Sequence, residues 1–114
     1  MARATPAGEF DKRITFQQEG VVRSGLGTRE GTGWSNVGVR WAKIRFGSSG
    51  ERREAGLERA SQAATFRTRM DTLTNAVAAG QRIFWRGQAF DITGVSPFDD
   101  VREIEFTGVA VQAQ

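Results

Sequence analysis

The sequence predicts a mainly β chain, a small antiparallel barrel with one short helix or ordered loop inserted between its strands. Three observations carry that prediction. Residues 82–95 read as a β-hairpin, two runs of β-branched and aromatic residues broken by Arg86-Gly87, where glycine accepts the positive φ of a tight turn. Clean apolar/polar alternation marks further strands at residues 13–18 and 63–70. In two longer β segments the alternation changes parity, as it does where strands bend to close a sheet.

Taken in order, residues 1–9 are small and polar with one proline, and read as a flexible arm before a single domain over residues 10–114. Ile14 and Phe16 share a face of the first strand. Residues 20–34 hold glycines at 20, 25, 27, 31 and 33 and predict a mobile, projecting loop, because ordering such chain costs much entropy for little apolar burial. In residues 34–46, Val37, Val39 and Trp41 have one parity and Ala42, Ile44 and Phe46 the other, which predicts a corner near Trp41-Ala42. A similar slip at Gly108 separates Ile104 and Phe106 from Val109 and Val111.

Between these segments, Ser48-Ser49-Gly50-Glu51 fits a capping box, followed by a run charged nearly all round in which only Ala55, Leu57 and Ala60 are apolar. Gly56 costs such a helix about 1 kcal/mol against alanine, so the segment predicts a weak helix outside the barrel or one ordered by a partner. Phe66, Thr68 and Met70 share a face of the next strand. Residues 71–81 form a connection with room for a helical turn over residues 75–79, stopped by Gly80. For the central hairpin a two-residue loop sets Trp85 opposite Gln88, Phe84 opposite Ala89, Ile83 opposite Phe90 and Arg82 opposite Asp91. Ile83, Trp85, Phe90 and Ile92 then make the buried face. Residues 96–100 are a turn cluster, and residues 102–111 close the sheet.

A chain of 114 residues is long enough to bury about two thirds of its unfolded surface as one domain. It contains neither cysteine nor histidine, which excludes disulfides, thiol nucleophiles, the usual zinc sites and the usual general base near neutral pH. No apolar run has the length of a membrane span, and the expectation is a cytosolic, non-membrane protein without cofactor, metal or catalytic residues. The net charge of +3, carried by arginines apart from Lys12 and Lys43, falls short of a dedicated nucleic-acid binder.

Few constellations carry chemistry. Asp99 and Asp100 are adjacent in a turn and diverge, so they read as turn residues rather than an acid/base pair. The glycine-rich stretch lacks the Gly-Lys-Ser/Thr of a phosphate loop and has Glu30 where a dinucleotide fingerprint needs glycine. Arg23, Arg29, Arg52, Arg53, Arg59, Arg67 and Arg69 could track phosphates, but Glu51, Glu54 and Glu58 lie at helical spacing to balance part of the set. In a ring of many copies those arginines could instead line a channel. Trp34, Trp41 and Trp85 could stack bases as in OB-folds, although their parity favours core packing.

In order and spacing the sequence resembles the phage head–tail joining proteins, the head closure or stopper proteins of the head–tail adaptor family. The resemblance lies in Arg13-Ile-Thr-Phe-Gln17, the glycine-rich stretch, Trp34 with Val39-Arg-Trp-Ala42, the charged residues 51–60, Thr65-Phe-Arg-Thr-Arg69, Arg82-Ile through Gly87, and Phe90-Asp-Ile-Thr-Gly-Val95 with the closing strand. It covers almost the whole chain, with a longer connection at residues 71–81 and a short Asp99-Asp100 turn as departures. What it implies is a small SH3- or OB-like barrel whose copies form a ring, expected to be a dodecamer, below the portal and its adaptor. The ring would seal packaged double-stranded DNA and offer the tail or its terminator a docking surface, after assembly in the host cytoplasm. A monomer in isolation is compatible with this, since the portal can template assembly. In such a ring the two charged excursions are the candidate contacts: Ser48, Glu51, Arg52, Arg53, Glu54, Leu57 and Arg59 of residues 47–62 for an inter-subunit or channel-facing element, and Arg23, Leu26, Arg29 and Glu30 for the next ring or the tail. The alternative is a free-standing OB/SH3-like nucleic-acid-binding module.

Overall fold

The computed structural model describes residues 3–23, 29–47 and 63–111, and side chains outside residues 21–23 and 29–32 of these. The chain is mainly β, as the sequence predicts. Six strands run β1 (Lys12–Arg23), β2 (Arg29–Phe46), β3 (Ala63–Arg69), β4 (Arg82–Trp85), β5 (Gln88–Phe98) and β6 (Glu103–Ala110), with the short helix α1 (Thr72–Asn75) between β3 and β4. All neighbouring strands are antiparallel in the order β1-β2-β3-β6-β5-β4, and β4 pairs back onto β1, so the ladder closes on itself. Among the described residues every strand thus has a neighbour on each side over part of its length, which blunts strand-to-strand aggregation.

The β4–β5 hairpin has the predicted register, Trp85 facing Gln88 through Arg82 facing Asp91. Arg86 and Gly87 both have positive φ, 49° and 78°, the geometry whose twist matches that of the flanking strands. Across its outer face the Arg82 guanidinium donates to Asp91 at 2.9 Å. Ile83, Phe90 and Ile92 are buried, with Trp85 packed against them. In the core, Phe16 meets Phe106 edge-on at 5.2 Å and Phe66 meets Phe90 at 5.1 Å, arrangements that suit the ring quadrupoles.

Several expectations are corrected by the ladder. The glycine-rich residues 20–23 and 29–34 are not loop: they extend β1 and β2, with Gly20 opposite Gly33 and Val22 opposite Gly31. Ladder bonds use only backbone groups, so a glycine-rich strand can pair once a neighbour is in register. Beyond Gln17, β1 pairs with β2 alone, and Gln18, Glu19 and Ser35 are exposed. The bend of β2 lies at Val37, the extra residue between Asn36 facing Gln17 and Gly38 facing Phe16, and not at Trp41-Ala42. The parity conflict is resolved by turning Val37, Val39 and Trp41 outward. Trp41 is 55% exposed and contributes nothing to the core, while Trp34 and Trp85 are half-buried.

In β6 there is no slip. Gly108 continues the inward parity, and a Cβ there would lie 3.1 Å from Phe90 Cβ and 3.2 Å from a Phe66 ring carbon, so these two side chains occupy the space a third would take. The irregularity is instead on β5, between Ile92 and Gly94. Residues 96–98 belong to β5, and the turn comprises residues 99–102, with Arg102 at positive φ. Pro97 is tolerated because this end of β5 pairs with β6 only. The helical turn sits earlier than expected, at α1, because Asp71 caps it: the carboxylate accepts from Thr74 N–H at 2.9 Å and the Thr74 hydroxyl accepts from Asp71 N–H at 2.8 Å. Arg40 donates to the same carboxylate at 2.8 Å. Leu73 of α1 reaches the core over Gly38, where a Cβ would collide with it. The capping box expected at Ser48 lies outside the described residues.

Thr68 is fully buried on β3, and its hydroxyl has no hydrogen-bond partner among the described residues. A buried orphan hydroxyl costs about 1–3 kcal/mol, so isosteric Thr68→Val is expected to stabilise the fold. Thermal unfolding should show a rise of several degrees in Tm, roughly 4–8 °C per kcal/mol for a domain near this size.

Candidate interaction surface

Among the described residues no group of three or more Asp, Glu, His or Cys could hold a metal ion. Asp99 and Asp100 lie in the β5–β6 turn, where the Asp99 carbonyl accepts from Arg102 N–H. What the sheet does assemble is a set of surface arginines held against rings and carboxylates. Arg67 is the most tightly held. Its Nε donates to Glu103 at 2.8 Å, a second nitrogen lies 3.7 Å from Glu105, and the guanidinium sits 4.2 Å from the Phe98 ring centre. Strand register explains the meeting, since Arg67 is opposite Glu105 and Arg69 opposite Glu103 across β3 and β6.

Glu103 is buried, and its carboxylate also accepts from the Thr5 N–H at 2.9 Å and the Thr5 hydroxyl at 2.8 Å. Burial raises the carboxyl's pKa, but the bonds from Thr5 and the charge of Arg67 outweigh it and hold Glu103 below the usual glutamate range. Where composition predicts a flexible arm, residues 3–9 are thus tied to the sheet. Arg67 also donates to the Arg3 carbonyl, a 3₁₀ turn spans Ala7–Glu9, and Glu9 pairs with Lys43 at 2.5 Å. The physical reason is a single buried acceptor 98 residues away in sequence, which no local pattern announces. A groove of about 350 Å³ remains beside this segment, bounded by Lys43, Arg45, Thr65 and Glu105.

On the neighbouring face Arg69 lies over the Phe10 ring at 4.8 Å and Arg13 over Trp41 at 5.7 Å. Arg82 stacks on Trp34 at 4.0 Å and Arg86 lies 5.1 Å from Trp85. Every described tryptophan therefore carries an arginine rather than a core neighbour alone, a pairing suited to recognition surfaces. Exposed Val37, Val39 and Phe84 stand on the same side, Thr15 of β1 being opposite both Val39 and Phe84.

The predicted site residues are distributed as follows. Ser48, Glu51, Arg52, Arg53, Glu54, Leu57, Arg59 and Leu26 lie outside the described residues. Arg23, Arg29 and Glu30 are at the far end of the β1–β2 ladder, Arg23 opposite Arg29, with their side chains outside the description. Arg67 and Arg69 share the outer face of β3 as expected, but Arg67 is engaged by two glutamates and not free for phosphate.

The solution structure of protein SF1141 from Shigella flexneri 2a is similar in fold. It has a TM-score of 0.68 and 22% identity, and the match covers 96% of this chain and all of that one. No curated protein sequence matches the chain. A sequence model described as phage head completion protein matches residues 5–112.

Proposed function

Since the chain belongs to the phage head completion protein family, a virion structural family and not an enzymatic one, we propose that it is the head closure, or stopper, subunit. Membership carries a structural role at the phage head, in contact with head and tail components. Beyond that role, the proposal is that copies form a ring, expected to be twelvefold, beneath the portal and its adaptor. The ring retains packaged DNA and receives the tail.

Family membership over nearly the whole chain is the observation that carries this reading. The fold is consistent with it. The closed six-strand ladder suits a small SH3- or OB-like barrel, rigid enough to repeat around an axis, and its chemistry-bearing side chains are recognition groups, arginines on rings. The residues from Ser48 to Arg59 are assigned to the inter-subunit or channel-facing element. The β1–β2 extension, with Arg23, Leu26, Arg29 and Glu30 at its far end, is assigned to the next ring or the tail.

The test is electron microscopy of particles produced without this protein, with encapsidated DNA quantified in parallel. Heads that package and then lose DNA, or remain tailless while free tails accumulate, are the expected result. Normal tailed particles overturn the reading. In that case steeply salt-dependent oligonucleotide binding by the purified protein would favour a free-standing nucleic-acid module.

A further inference from the structure

Trp41 is the most exposed of the large apolar side chains described. It stands between two arginines. Across β1 it is opposite Arg13, and on the β3 side the register that sets Ala42 against Thr68 brings Arg69 alongside. With strands about 4.8 Å apart, the two arginine backbones are roughly 10 Å from each other. Each guanidinium is positioned over a ring, Arg13 on Trp41 and Arg69 on Phe10. Lys12, Arg40, Lys43, Arg67 and Arg82 each pair with a carboxylate, whereas Arg13 and Arg69 are held by their rings. A shallow cleft beside the indole is lined by Ala7, Phe10, Trp41 and Arg69, and Arg13 flanks the same indole from β1.

We propose that this cleft binds an acidic segment of a partner protein, with an apolar side chain seated on Trp41 and carboxylates on either side engaging Arg13 and Arg69. A ring-stacked guanidinium keeps its edge N–H groups free, and the fork they form matches a carboxylate. Because stacking has already restricted both side chains, less rotamer freedom is lost on binding. The exposed indole favours a protein segment over a duplex nucleic-acid backbone, since phosphates offer nothing to cover it, whereas Phe10 is already buried beneath Arg69. Aromatic and arginine anchors are also the side chains that dominate protein interfaces. The inference rests on the head-completion reading only for the partner's origin, a head or tail component.

The test is an NMR titration of the ¹⁵N-labelled protein with a capped peptide of glutamates around a central Leu-Phe pair. The same peptide with glutamines and a duplex DNA of twenty base pairs serve as comparisons. The acidic peptide is expected to shift the Trp41 indole N–H resonance and the neighbouring amides of β1 and β3. The glutamine peptide should bind at least tenfold more weakly. Arg13→Gln and Arg69→Gln should each weaken the acidic peptide at least threefold, and together at least tenfold. Both positions are exposed, and unchanged amide spectra elsewhere will certify the fold. An indole signal unmoved at millimolar peptide overturns the proposal. So do equal binding of the two peptides, a larger response to DNA, or self-association in sedimentation velocity that Trp41→Ser abolishes. Because no particle enters this titration, its failure leaves the head-completion reading to its own experiment.

Discussion

Glu103→Ala will lower the unfolding free energy by about 3 kcal/mol and release residues 3–9 from the sheet, as expected when one partner of a buried, hydrogen-bonded charge pair is removed. Three donors lose their acceptor together: the Thr5 amide, the Thr5 hydroxyl and Arg67 Nε. Arg67 retains Glu105 and some access to water, which keeps the loss below that of a fully isolated buried charge. Urea titration measures the stability, and hydrogen exchange at the Thr5 amide reports the release. Exchange at Thr5 that stays slow in the variant would show that the segment is held by something other than this carboxylate.

The same carboxylate sets a pH dependence. Its folded-state pKa lies below the ordinary glutamate value, so between the two the unfolded chain binds more protons. The contribution is fully present above the unfolded value and disappears as pH falls through the folded one. Asp71 and Asp11 are also shifted down, and the wild-type protein should therefore lose stability steadily in acid. Burial alone would raise the Asp71 carboxyl, and its bonds to Thr74 and Arg40 reverse the sign, whereas Asp11 is held down by Lys12. Glu103→Gln should show a shallower acid limb than wild type, with the two aspartates left to supply the remainder.

Phe66→Ala is the second large effect, about 3–5 kcal/mol by the combined loss of transfer free energy and creation of a cavity. Phe66 is fully buried, packs edge-on against Phe90 and fills the space over Gly108. Against a typical total of about 5–15 kcal/mol, that loss takes the domain close to its unfolding threshold. Phe84→Ala is the matched control. Phe84 is 38% exposed on the outer face, and its removal should cost about 0.5 kcal/mol or less. Equal destabilisation by the two changes, in chemical denaturation at neutral pH, would contradict the inward and outward assignment of β3 and β4.

The sequence by itself determined the elements whose signals are local. The β4–β5 register was legible to the residue, because a two-residue turn with glycine leaves no freedom in the pairing that follows. The alternation of β3, the placement of Ile14 and Phe16, and the family were legible for the same reason, since spacing and order are properties of the chain. Tertiary structure decided the rest. Gly108 looks like a break in alternation until the Phe66 ring and the Phe90 Cβ are seen filling its place, and Gly38 makes sense only beneath Leu73. Trp41 has the composition of a core residue but stands outside, because the bulge at Val37 sets which parity of β2 faces inward. The glycine-rich flanks became strands through backbone bonds to each other, which side-chain patterning does not encode. The candidate surface divides along the same line. Arg69 was visible as an exposed strand arginine, whereas its alignment with Trp41 and Arg13 arises from pairing across three strands. The attachment of residues 3–9 to Glu103 likewise joins positions that only the closed ladder brings within hydrogen-bond reach.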